Sequence, residues 1–493
     1  VGIRVVVCSM KAPDEILCQP RVKELAATRF VIPPFAGPQR WRHLGWHAKL
    51  CMRHPLRYIS TYRFARARGT RAAWEKFLVA PFIVAQAKRM RVEHFHAHFA
   101  SGPARQAKLA SMLSRIPFSI TAHAKDLYWK GHNHGDNNKL KKRVRLAAFV
   151  VTISEYNRRF IESLSFTVPR RRIVTIYNAL DPRHWPFLRS DGRPVEARGS
   201  NGSTPSEGDA TTTPLLLAVG RLVPKKGFDV LIESCARLRA QGVRFRCVIA
   251  GEGPERSHLE RLIAERGLET TVSLPGSIPQ DQLVGRYYRE ATVLVQPSVV
   301  DADGDQDGIP TVILEALAVG LPVVATDVSG IREAVLPERT GLLVTAGDAE
   351  ALTNATRRIL TEDDLAARLA RRGRQLFEHR FNLQNNAKVL IHLMRVSARG
   401  EPRWSLMKLG ERAGVIPLPD TAGGAPDQGA HDQDPPGGEP EPNTSGSTQE
   451  QDAPDRASEL AGTSTAAFPT SAAALPASAA ATQEVPHDAG TRV

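Results

Sequence analysis

An α/β chain with two parallel-sheet domains follows from three features of the sequence. Short apolar runs recur between helical stretches, at 3–8, 150–153, 215–219 and 292–295, the pattern of strands buried on both faces of a parallel sheet. At 493 residues the chain exceeds one ordinary hydrophobic core, so two domains are expected. The third feature is the stretch 303–326, which reads as one strand–loop–helix–strand unit and around which the rest is organised.

That stretch begins as a polar loop, turns through Gly308, and enters a helix with Pro310 at or near the first position, where a missing N–H costs nothing. Gly320 stops the helix, Pro322 prevents its return, and 323–325 reads as the next buried strand. The free amides and dipole at such a helix start face the carboxyl edge of the sheet and can hold an anion. Asp307 stands just before the helix and Glu315 lies about one turn inside it. Two carboxylates so placed suit the hydroxyls of a sugar nucleotide better than a bare phosphate. The plainer alternative makes Asp307 a cap and Glu315 a solvated residue. Against it stand the apolar neighbours Ile313, Leu314, Ala316 and Leu317, because a carboxylate inside so apolar a helix is costly without a partner.

The spacing Asp307-x7-Glu315, followed by Ala-Leu-Ala-x-Gly-x-Pro-Val-Val, resembles the Glu-x7-Glu signature of the retaining glycosyltransferases of family four. The run Asp-Gly-Asp-x-Asp-Gly-Ile-Pro over 303–310 is similar to their exopolysaccharide and colanic-acid-type branch. Asp307 replaces the commoner Glu and shortens the reach by one methylene. The resemblance implies the GT-B fold, two Rossmann-like domains facing a cleft. It also implies that the first strand, Gly-rich turn and helix of the N-terminal domain are missing here, since 3–8 has no such unit before it.

Charge is unevenly placed. The formal net charge is +15, while 413–493 alone carries about −10, so the preceding part carries about +25. A core that basic calls for an acidic partner: nucleotide diphosphates, an anionic membrane face or nucleic acid. No recognisable reader module supports nucleic acid. The five cysteines have no metal or disulfide spacing, which points to a reducing cytosol. No apolar run is long enough to span a bilayer, so a membrane role would be peripheral, at the inner face.

Taken in order, 43–91 is helical and rich in Arg, His, Trp and Leu, equally suited to an anionic membrane surface and to covering a core. His94, His96 and His98 alternate on the next strand. A metal site is disfavoured there because no carboxylate or cysteine cluster accompanies them. The strand 118–122 delivers His123 to the sheet edge, and Thr-Ala-His-x-x-Asp-Leu over 121–127 resembles a family motif. The resemblance places His123 beside the transferred sugar, where a ring nitrogen or its backbone carbonyl could touch a hydroxyl, the plainer alternative being a hydrogen-bonded structural His. It matches His98 to a common family histidine and sets Asn178 in the turn closing the first domain. Ser154 reads as a helix cap.

The second domain opens with the strand 215–219 and Gly220-Arg221-x4-Lys226-Gly227, which resembles the family's phosphate-facing turn. Arg221 and Lys226 can offset a leaving diphosphate, with charge-assisted bonds of about 1.5–3 kcal/mol each. Phe228, Leu231, Ile232, Cys235 and Leu238 then mark the buried face of a helix. Gly220, Glu252 and Gly276 lie at strand ends where the family takes the nucleotide.

The expected division is 1–182, acceptor side; 183–213, flexible linker or insertion; 214–380, nucleotide-sugar side; 381–412, crossover helices; and 413–493, a disordered acidic tail. The expected activity is transfer of a hexose from a nucleotide diphosphate sugar to a polysaccharide or lipid-linked oligosaccharide. His123, Asp307, Arg221 and Lys226 are the catalytic candidates. Gly220, Glu252, Gly276, Gly308, Ile309, Pro310, Thr311, Glu315, His98 and Asn178 are the substrate-binding ones. No metal or other cofactor is expected. The alternative is a catalytically weak relative that serves as partner in a polysaccharide assembly complex.

Overall fold

The structure is a computed structural model that describes residues 3–9, 27–67, 69–128, 140, 144–164, 169, 172–188 and 213–400. The expected linker therefore lies largely, and the expected tail wholly, outside the described residues.

The first lobe holds two parallel sheets. β1 (Val6–Ser9) pairs with β2 (Thr28–Val31). Helices α1 (Gln39–Arg53), α2 (Pro55–Arg66) and α3 (Arg71–Arg89) follow. Phe77, Ala80, Ile83 and Val84 of α3 pack with Leu109 and Leu113 of α4 (Gly102–Ser114). The second sheet has the order β3-β4-β5-β6, from Phe95–His98, Phe118–Ala122, Val150–Thr152 and Ile173–Thr175. Short helix α5 (Ala124–Leu127) and α6 (Glu155–Ser163) leave the ends of β4 and β5. Ser154 caps α6 as expected, its Oγ accepting from Asn157 N–H at 3.1 Å.

The second lobe is one six-stranded parallel sheet in the order β12-β11-β10-β7-β8-β9. Its strands are β7 (Leu215–Val219), β8 (Arg246–Ala250), β9 (Val272–Gly276), β10 (Val293–Gln296), β11 (Val323–Thr326) and β12 (Leu342–Val344). Helices α7 (Phe228–Ala240), α8 (Arg256–Glu265), α9 (Thr311–Val319) and α10 (Ala349–Thr361) cover its faces. Leu231, Ile232, Cys235 and Leu238 of α7 are all buried, as their spacing predicts. After α11 (Asp363–Arg380), α12 (Leu383–Arg399) returns to the first lobe. There its Leu393 and Val396 pack on Phe149, Val151 and Val174.

One local expectation is corrected. The run 3–8 does not form a buried strand: β1 begins at Val6, and Val5 and Val7 are exposed. Among the described residues β1 pairs with β2 alone, and beside it lies a cavity of about 1410 Å³ lined also by Ile83, His96, Leu390 and Met394. Pro310 stands near the first helical position as expected, one residue before it: its ψ of 131° is extended and the helix starts at Thr311. Gly320, with φ +79°, ends α9 as expected.

Candidate active site

The site begins with two close backbone approaches at the carboxyl edge of the second sheet. Gly227 has φ +61°, and a Cβ there would run into the Pro297 carbonyl. The turn after β7 can therefore lie against the segment after β10, where Val299 N–H donates to the Lys225 carbonyl at 2.9 Å. This brings Lys225 and Lys226 to the loop before α9. That loop is shaped by Asp301, whose Oδ1 accepts from the amides of Asp303 (3.0 Å) and Asp305 (2.8 Å).

The result is a compact acid–cation cluster. Lys226 Nζ donates to Asp307 Oδ2 at 2.7 Å, and Ser298 Oγ donates to the same oxygen at 3.1 Å. Lys225 Nζ lies 3.1 Å from Asp305 Oδ2 and 3.5 Å from Asp307 Oδ1. The Lys226 and Asp307 side chains are only 13% and 12% exposed, so the pair is shielded far more than an ordinary surface salt bridge. Gly308 presses this loop against the first lobe: a Cβ there would sit 3.3 Å from Ile153 Cδ1 and 3.7 Å from Ala124 Cβ.

Ala124 follows His123 directly, so the acidic loop and the His123 strand end meet across the lobes. His123 caps α5, its N–H donating to Asp126 Oδ2 at 3.2 Å, while Ala100 N–H donates to the same oxygen at 2.9 Å. The His123 and His98 Nε2 atoms are 3.0 Å apart, so one imidazole donates to the other. Burial, with some help from His98, pushes His123 down to about 4. Burial also lowers His98, leaving a neutral pair at pH 7. His94 and His96 turn to neighbouring hydroxyls. His94 Nε2 pairs with Ser119 Oγ at 2.7 Å, and His96 spans Ser119 Oγ (2.8 Å) and Thr121 Oγ1 (2.9 Å).

Glu315 lies inside α9 and has found the partner its apolar surroundings demand. Tyr288, from the helical turns over 280–290, donates its hydroxyl to Glu315 Oε2 at 2.6 Å. Burial raises the Glu315 carboxyl above its usual range, against the opposing pull of Tyr288. Glu315 Oε1 takes no part in that bond.

The remaining candidates are more scattered. Arg221 is exposed on the turn after β7, and Gly220 contacts the Lys226 stem, 3.1 Å from where a Cβ would stand. Glu252 and Gly276 come together at the ends of β8 and β9, with Arg256 Nη1 donating to Glu252 Oε1 at 3.1 Å. Ile309 is buried in the core and Thr311 is exposed at the start of α9. Asn178 sits in the crossover between lobes: its neighbour Tyr177 accepts from Asn386 Nδ2 at 3.0 Å, and Leu180 N–H donates to the Phe381 carbonyl at 3.0 Å. Among the described residues no hydrogen bond joins Glu252, Gly276 or Asn178 to the Asp307 cluster.

Sequence reasoning missed four residues here. Lys225 and Ser298 complete the Asp307 cluster, and Tyr288 holds Glu315. Glu333 receives the Glu155 and Tyr156 amides and the Tyr177 hydroxyl, all at 2.8 Å, and so ties the second lobe to the first. Only the Lys225-Lys226 doublet left a local signal.

The chain is similar to known proteins. Residues 1–184 match the family described as "Glycosyltransferase Family 4", and 203–376 the one described as "Glycosyl transferases group 1". WcaL of Escherichia coli (strain K12), named as a glycosyltransferase of colanic acid biosynthesis, is 34% identical over 307 residues, covering 62% of this chain and 70% of that protein. The amylovoran biosynthesis glycosyltransferase AmsK of Erwinia amylovora is 45% identical over 145 residues, 29% of this chain and 35% of that protein. Among solved structures, Anabaena Alr3699/HepE in complex with UDP superposes with a TM-score of 0.54 at 19% identity, covering 64% of this chain and 82% of that one. The sucrose-phosphate synthase of Thermosynechococcus elongatus gives 0.53 at 23%, covering 66% and 79%. These structural likenesses carry the fold, with its two facing Rossmann-like lobes.

Proposed function

Because the chain belongs to glycosyltransferase family 4 and has the GT-B fold, we propose that it is a retaining hexosyltransferase of exopolysaccharide assembly. It moves a hexose from a nucleotide diphosphate sugar to a glycan or lipid-linked oligosaccharide. The observation that carries this reading is the shielded Asp307–Lys226–Lys225 cluster pressed, through Gly308, against the His123 end of the first lobe.

In this reading Asp307 and the backbone over 308–310 hold the transferred sugar, and Glu315, oriented by Tyr288, takes the ribose hydroxyls. Arg221 and Lys226 stabilise the diphosphate as its charge builds. The sugar C1–phosphate oxygen bond breaks, the acceptor oxygen bonds C1 on the same face, and the acceptor proton passes to the leaving phosphate. The neutral His98–His123 pair contributes hydrogen bonds to sugar hydroxyls. The basic side chains take the place of a metal ion. Measured across UDP-, GDP-, ADP- and dTDP-sugars, donor hydrolysis should appear for at least one donor and persist in EDTA. Complete loss in chelator overturns the metal-free reading.

The acceptor side is proposed to rest on an anionic membrane. Helices α1 and α2 contain no Asp or Glu. They expose Leu56 (82%), Met52 (79%) and Trp41 (66%) among Arg40, Arg42, Arg53 and Arg57, the composition of an interfacial helix pair. Among the described residues no helix is long and apolar enough to cross a membrane. Flotation with phosphatidylglycerol vesicles should carry the protein upward, and phosphatidylcholine vesicles should not. Equal behaviour toward both contradicts the charge argument.

A further inference from the structure

Directly after β3 a bulky aromatic residue stands in the left-handed region: Phe99, at φ +86°. A bulky side chain there is a conformational outlier that persists only where its surroundings hold it. Two bonds do so. Phe99 N–H donates to the Thr121 carbonyl at 3.0 Å, and the next amide, Ala100, donates to Asp126 Oδ2 at 2.9 Å.

The strain does not bury the ring, which remains 44% exposed. It lies edge-on to His98, with centroids 5.0 Å apart, and tilted against His123 at 4.7 Å. A strained backbone that holds an apolar ring in water, beside two neutral imidazoles that hydrogen-bond each other, contributes little to the core. What it offers is a flat apolar face next to hydroxyl-binding nitrogens. That combination suits a pyranose, whose C–H face is apolar and whose edge is all hydroxyls. Aromatic faces carry partial negative charge that attracts such C–H groups.

Resting on the transferase reading above, we infer that Phe99 is the platform on which the acceptor sugar stacks, next to the His98–His123 pair. The donor sugar then approaches from the Asp307 side, because Ala124, next to His123, is the residue against which Gly308 packs. Phe99 thereby selects a cyclic acceptor with an unhindered apolar face.

The test places 4-fluorophenylalanine at position 99 of the full chain. It follows the fluorine resonance during titration with methyl α-D-glucopyranoside, galactopyranoside and mannopyranoside, with and without UDP. The expected result is a saturable shift with at least one glycoside; no shift with any of the three overturns the inference. Saturation-transfer NMR on Phe99→Tyr should retain that glycoside, while Phe99→Leu should weaken its binding at least tenfold. Phe99→Gly should raise Tm by relieving the backbone and yet lose the glycoside. A Phe99→Gly protein that gains stability and keeps glycoside binding reduces Phe99 to structure and overturns the inference. Nucleotide-sugar thermal shifts are read separately, so failure of the donor reading is distinguishable from failure of the acceptor platform.

Discussion

Tyr288 and Glu315 show how a carboxylate is kept inside an apolar helix. The hydroxyl of Tyr288 is the donor that lets Glu315 be buried, and removing one partner of such a bond strands the other at roughly 1–3 kcal/mol. Tyr288→Phe is therefore expected to lower Tm by several degrees in calorimetry. Glu315→Gln should cost less, because burial already disfavours the charged carboxylate. Equal Tm for Tyr288→Phe and wild type would contradict this account. The need for a partner could be read from Ile313, Leu314, Ala316 and Leu317 around Glu315. The partner's identity could not, because it comes from 27 residues away in a different helical turn. Asp307 and Lys226 were legible for the opposite reason: each sits in a local motif beside a glycine that fixes its turn. Phe99 went unnoticed because strain at a single φ leaves no trace in residue type.

At the level of elements, α9 was readable at both ends because proline and glycine encode its boundaries, to within the one residue by which Pro310 precedes the helix. Its C-terminal glycine has a second duty that sequence does not reveal. A Cβ at Gly320 would strike the Phe187 ring in addition to straining a φ of +79°. Gly320→Ala should therefore destabilise by more than the roughly 1–3 kcal/mol of backbone strain alone. Adding Phe187→Ala should return part of the loss, and denaturant unfolding of both variants checks the order. If the single variant unfolds at the wild-type midpoint, the cap argument fails. The misjudged burial of β1 has a physical cause of the same kind. An apolar run states that a strand is comfortable when covered, whereas coverage depends on neighbours, and beside β1 lies the large cavity.

For the whole molecule, the two lobes are joined by contacts that no local pattern encodes. Glu333 reaches residues 178 and 177 positions earlier in the chain to accept from Glu155 and Tyr156 at the start of α6, where a carboxylate also complements the helix dipole. Glu333→Gln keeps the size and removes the charge. It is expected to loosen the lobes, increasing the radius of gyration in X-ray scattering and weakening donor binding several-fold while leaving each lobe folded. Unchanged scattering and affinity would show that α12 and the crossover alone set the lobe arrangement. The claim on which all else depends is that the acid–cation cluster at the mouth of α9 grips the donor. The most direct measurement is the thermal shift produced by the best nucleotide sugar in wild type and in Lys226→Met, since a ligand that binds the folded state raises Tm by an amount that grows with the logarithm of its concentration over Kd. The account predicts a saturable rise in wild type that is largely abolished in Lys226→Met; an equal rise in both proteins would contradict it.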